Sequence, residues 1–129
     1  IIFDKSFKKI NKQRIKRIEK NNYSLFTYLK DSINRGRVIL PAHKKFVLYI
    51  IDNNVSCKNQ NEIIEKKIKK LVNNDCQLYS ACSFGFDYIA LDSYYDINER
   101  NYVIRISMND SIRDETILKK IKEFINDNF

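Results

Sequence analysis

The sequence holds no tryptophan, one proline, one histidine and two glycines. Two glycines, Gly36 and Gly85, cannot build the glycine-rich loops that cradle phosphates, which excludes nucleotide-binding motifs of that type. A single proline, Pro41, excludes proline-rich recognition segments. The only histidine, His43, stands in the stretch Pro41-Ala42-His43-Lys44-Lys45 with no nucleophile or carboxylate beside it. A general base is positioned by such partners, so His43 reads as a surface or structural residue. Cysteine is scarce too: Cys57, Cys76 and Cys82 cannot all pair within one chain. That count fits a reducing, cytoplasmic or otherwise intracellular compartment better than a secreted disulfide scaffold. Cys76 and Cys82 lie six apart and Cys57 is remote, outside the spacing of zinc ligands; Cys76 and Cys82 share strand parity with Leu78 and Ser80 and read as buried thiols in a sheet face. Neither a metal site nor a small-molecule cofactor is indicated.

Long apolar runs are missing as well. The longest, Phe46 to Ile51, has six residues, against roughly 18–20 for a membrane-spanning helix. No transmembrane segment is expected. The first twenty residues are charged throughout, so no signal peptide is read there. The chain begins at Ile1 and not at Met, and the expectation is that residues precede it.

What is present is a foldable, basic chain. Its 129 residues are 43% hydrophobic and carry a net charge of +8. One domain is expected, with a sub-boundary near 52–59 between a basic N-terminal helical part and a near-neutral remainder. Ile, Lys and Asn number 20, 17 and 15, a usage that points to an AT-rich coding genome, such as a viral or mobile one. The charge is uneven. Residues 1–20 carry a net +6 and residues 21–59 a net +4, whereas residues 60–129 carry a net −2. A basic half beside a near-neutral half points to a polyanionic partner.

The hydrophobic periodicity predicts a helix over about Lys5 to Lys20, with Phe3, Phe7, Ile10, Ile15 and Ile18 on one side. Lys5, Lys8, Lys9, Lys12, Lys16 and Lys20 fall opposite, with no acid expected among them. Asn21 and Asn22 read as its stop. A second helix is expected from Ser24 to Asn34, with Gly36 as its left-handed cap. Phe46 to Ile51 reads as a buried strand, and the rival reading is a helix opening at Pro41. A third helix over Gln60 to Asn73 follows. Strands are expected at Gln77–Cys82, Phe86–Ser93 and Tyr102–Met108, and a last helix from Ile112 to Asn126. In the last strand Tyr102, Ile104, Ile106 and Met108 share one parity. The expected fold is α+β: a two-layer sandwich of an antiparallel three- to four-stranded sheet packed by helices. Its C-terminal core is α-β-β-β-α, preceded by a basic helical segment.

The lysine face of the first helix is the principal functional lead. Such a surface displaces counterions from phosphates without reading sequence. Arg35 and Arg37, around Gly36, would extend it with forked phosphate contacts if the loop lies near. The same helix also suits an anionic membrane or a protein partner through its apolar side. Tyr79, Tyr88, Tyr94, Tyr95 and Tyr102 fall on or near the strands, where exposed rings beside cations would stack bases.

Asp87 on the second core strand, within an α-β-β-β-α order, resembles the core of the PD-(D/E)XK nucleases. That resemblance implies Mg²⁺ held by this Asp and by the Glu of an E-x-K on the next strand. Here the corresponding residues are Arg105-Ile106-Ser107, so the second ligand would come from Glu62, Glu65 or Glu99. The element order also resembles the double-stranded-RNA-binding domain, although Arg113-Asp114-Glu115 replaces a basic start to the last helix. Ile1-Ile2-Phe3-Asp4-Lys5-Ser6-Phe7-Lys8-Lys9 resembles the opening of RelE-type ribonuclease toxins. The leading expectation is a non-enzymatic protein binding nucleic acid or another polyanion. The alternatives are a small metal-dependent nuclease or toxin domain and a protein-interaction module of a larger assembly.

Overall fold

The computed structural model describes residues 3–34, 36–43, 47–52, 59–74, 78–80, 87–111 and 115–128. Within these, the side chains of 3–11, 59–61, 80 and 128 fall outside the description. The fold is α+β. Helix α1 (Phe3–Leu29) leads into strands β1 (Arg37–Ile39) and β2 (Leu48–Asp52). Helix α2 (Asn59–Asn73), strands β3 (Leu78–Ser80), β4 (Ile89–Asp96) and β5 (Asn101–Ser107), and helix α3 (Glu115–Asn128) follow. The expected α-β-β-β-α order is therefore present, as is the N-terminal helix. The apolar segment after Pro41 is a strand, not the rival helix.

The sheet departs from expectation in two respects. It has five strands, ordered β1-β2-β5-β4-β3, where three or four were expected. It is also mixed: β3 runs parallel to β4, whereas β1–β2, β2–β5 and β4–β5 are antiparallel. The extra strand is β1, three residues that too short an apolar run left unassigned. The parallel pair replaces an expected hairpin at Ser83-Phe84-Gly85, a stretch outside the described residues.

Strand parity places the core. Leu48, Ile50, Leu78, Ile89, Leu91, Tyr102, Ile104 and Ile106 join Leu25 and Leu29 of α1, Ile64 and Ile68 of α2, and Ile117, Leu118, Ile121, Phe124 and Ile125 of α3 in one buried cluster. The expected inward parity of Tyr102, Ile104, Ile106 and Met108 holds, each being 2% exposed or less. Residues of the other parity, such as Tyr49, Asp92, Tyr94 and Arg105, lie outside that cluster.

The largest correction concerns the start of the chain. Two helices broken at Asn21-Asn22 were expected, the second reaching Asn34. The structure has one 27-residue helix that ends at Leu29. Asparagine usually interrupts a helix because its side chain competes for backbone groups. Here both amides are engaged elsewhere. Asn22 Oδ1 accepts from the Met108 backbone N–H at 2.8 Å. Asn21 Nδ2 donates to the carbonyls of Asn109 and Ser111, at 2.7 and 2.8 Å. Both residues are buried, and they tie α1 to the segment joining β5 to α3. Gly36 does adopt a positive φ of 86°, but it serves the turn into β1 and is not the cap of α1.

Replacing Asn22 with Ala leaves the buried Met108 N–H without that acceptor, a loss of about 1–3 kcal/mol for an unsatisfied buried group. Urea denaturation should show this loss for Asn22→Ala, and a change within about 0.5 kcal/mol for the exposed Lys16→Ala.

Candidate polyanion-binding face

An α-helix turns about 100° per residue, so positions four apart nearly eclipse. Lys12, Lys16 and Lys20 therefore form a row along α1, and all three are exposed. Among the described residues none of them has a carboxylate partner. Lys5, Lys8 and Lys9 continue the same side of the helix by position; their backbone lies in α1 and their side chains fall outside the description. On the opposite side Ile18, Leu25 and Leu29 are fully buried. Over the described side chains of α1, residues 12–29, a buried side at Ile18, Leu25 and Leu29 thus stands opposite an exposed side at Lys12, Lys16 and Lys20.

The two arginines of this helix face differently from the lysines. Arg14 Nε donates to Asp110 Oδ2, and its Nη2 donates to Asp87 Oδ1 at 2.8 Å. Arg17 adds a second cation to Asp110 at 3.6 Å. Asp110 is mostly buried, with 14% of its side chain exposed. The hydrogen bond from Arg14 holds its carboxyl below the usual carboxylate range, against the opposing effect of burial. The charge of α1 is thereby sorted. Its arginines clamp the helix to the β5–α3 connection beside Asn21 and Asn22, and Lys12, Lys16 and Lys20 remain outside. Glu19 modifies the row. It is half-buried and falls beside Lys12 and Lys16 on the helical wheel, so one acid lies on the side expected to have none.

Arg35 lies outside the described residues. Arg37 is exposed on β1, where its register opposite Ile51 gives it the parity of Ile51 and Tyr49. Leu48 and Ile50, of the other parity, are the β2 residues that join the helices. Arg37 therefore belongs to the face turned from the helices and does not prolong the lysine row. His43 is exposed, while Lys44, Lys45 and all three cysteines lie outside the description.

The strand tyrosines divide. Tyr102 is fully buried and Tyr95 packs against the core. Tyr79 is exposed and lies 4.8 Å, centroid to centroid, from the half-buried Tyr88. Tyr94 is half-buried under the Arg105 guanidinium, 4.8 Å from its ring centre. That guanidinium also makes a forked pair with Asp92. The central cation of this sheet face is thus already matched by a carboxylate, whereas Lys12, Lys16 and Lys20 of α1 have none among the described residues.

The acids do not converge. Asp87 precedes β4 and does not lie on it as expected, and its side chain is 89% exposed against Arg14. Glu62 and Glu65 are exposed on α2, and Glu99 is exposed in the turn after β4. Among the described residues no group of three or more His, Cys, Asp or Glu is placed to hold a metal ion. Nor is any helix, over those residues, long and apolar enough to cross a membrane. Comparison with protein-family models, curated proteins and solved structures finds no match.

The Asp110 clamp has a pH signature. A carboxyl with a depressed folded pKa contributes stability above its unfolded value, near 4, and loses that contribution as pH falls through the folded one. Unfolding followed between pH 2 and 7 should show Asp110→Asn less stable than the parent at neutral pH. The two should converge at the acid end.

Proposed function

We propose that the chain is a non-enzymatic binding protein that contacts nucleic acid or another polyanion through the lysine side of α1. In this reading it is a two-layer sandwich whose helical layer presents that row. The carrying observation is the sorting of charge on α1. Lys12, Lys16 and Lys20 are exposed in one row without carboxylate partners among the described residues, while Arg14 and Arg17 are matched to Asp110 and Asp87. Long-range attraction for a polyanion depends on cations whose field is not cancelled nearby. Lys5, Lys8 and Lys9 lengthen the row by helical position.

The membrane version of the same lead is less well supported. An interfacial helix inserts its apolar side among acyl chains. From Ile18 onward that side of α1 is packed into the protein. A lysine row on a rigid body suits phosphates in a flexible strand or a duplex, because each cation can displace a counterion independently.

The test is a salt titration. The parent should bind DNA or RNA at low ionic strength with an affinity that falls steeply with salt. Replacing Lys12, Lys16 and Lys20 together with alanine should flatten the slope of log K against log salt by about 2, at roughly 0.7 per phosphate contact on single strands. Circular dichroism should report an unchanged fold, since all three side chains are exposed. Absence of binding at low salt, or an unchanged slope in the triple variant, would overturn the reading.

A further inference from the structure

Because α1 runs unbroken through Asn21-Asn22, it brings to the lysine row a residue that a break there would have separated from it. Tyr23 follows Lys20 by three positions and Lys16 by seven, spacings that return to the same side of a helix. Lys12, Lys16, Lys20 and Tyr23 fall within an arc of about 80° at 100° per residue. Tyr23 is 58% exposed, one of the most exposed large side chains described. Its ring stands 6.4 Å, centroid to centroid, from Phe26, which packs against the core. The tyrosine is thus braced from one side by a residue that is itself anchored, and it presents an aromatic surface to solvent at the end of a row of cations that has Glu19 beside it but, among the described residues, no ion pair.

A single exposed aromatic is ordinary on a protein surface. Its placement in line with the lysines is what carries chemistry. Cations that track a phosphate backbone, combined with an aromatic platform for a base, are the two components of single-strand recognition. A duplex keeps its bases stacked internally and offers no free π-face to a side chain on its outside. Sulfated or phosphorylated polymers without bases would use the lysines and leave Tyr23 idle.

We infer that the polyanion is single-stranded nucleic acid, with its phosphates along Lys12, Lys16 and Lys20 and an unstacked base on the ring of Tyr23. This inference rests on the polyanion reading and adds a ligand class to it. Among the strand tyrosines, Tyr102 is buried and Tyr94 lies under an arginine already paired with Asp92.

Fluorescence anisotropy on the full chain tests the inference with three labelled probes at one salt concentration. These are a 20-nucleotide oligothymidylate, an oligouridylate of the same length, and an abasic strand with the same phosphates. The parent should bind both base-bearing strands more tightly than the abasic one. Tyr23→Ala should weaken binding to the base-bearing strands about tenfold, within the range expected for one stacked base, and leave abasic binding unchanged. Tyr23→Phe should retain parental binding, since it keeps the stacking ring. Equal binding of base-bearing and abasic strands by the parent, or parental affinity in Tyr23→Ala, overturns the single-strand inference and leaves the polyanion reading intact. Failure to bind any of the three probes at low salt overturns both.

Discussion

The arrangement depends on two buried asparagine side chains. Asn21 and Asn22 place their amides against the backbone of Met108, Asn109 and Ser111, where β5 hands over to α3. A buried amide left unpaired is costly, and a backbone N–H or carbonyl equally so. Each group here satisfies another. The helix consequently continues across a pair of residues that would otherwise favour its end, and it is held at a fixed rotation about its own axis. That rotation directs Ile18, Leu25 and Leu29 inward and Lys12, Lys16 and Lys20 outward. Arg14 and Arg17 reinforce it electrostatically by meeting Asp110 in the same connection. A parallel device acts just beyond the helix, where Asn126 of α3 accepts from the Asn34 N–H and donates to the Ser32 carbonyl.

Much of the fold was legible because it rests on short-range periodicity. The parity of β5 and the apolar stripe of α3 follow from side-chain spacing alone, and both are present in the structure, as is the exposure of Lys12, Lys16 and Lys20. The features that were not legible are relations between distant segments. Nothing near Asn21 and Asn22 announces that their acceptors and donors lie some 86 to 90 residues onward. The parallel pairing of β3 with β4 is likewise a property of a connection, not of either strand. The short strand β1 exists because β2 offers an edge to it.

The functional face was half legible for the same reason. Counting lysines on a wheel locates the row but does not say which cations are cancelled. Arg14 and Arg17 carry the same charge as their neighbours and are neutralised by Asp110 and Asp87, 73 to 96 residues away. Tyr23 was missed because a helix stop at Asn21-Asn22 placed it outside the first helix; continuing the periodicity past those residues would have found it. Arg37 was grouped with the lysines by proximity in sequence, and strand register sends it to the other face.

The most direct test of the account is amide hydrogen exchange along α1. A helix continuous through the asparagine pair should show unbroken protection from Lys16 to Leu29, with the amides around Asn22 to Leu25 among the slowest in the helix. Exchange at those amides as fast as at a frayed terminus would mean that the helix breaks there. The lysine row and Tyr23 would then belong to separate segments with no shared face.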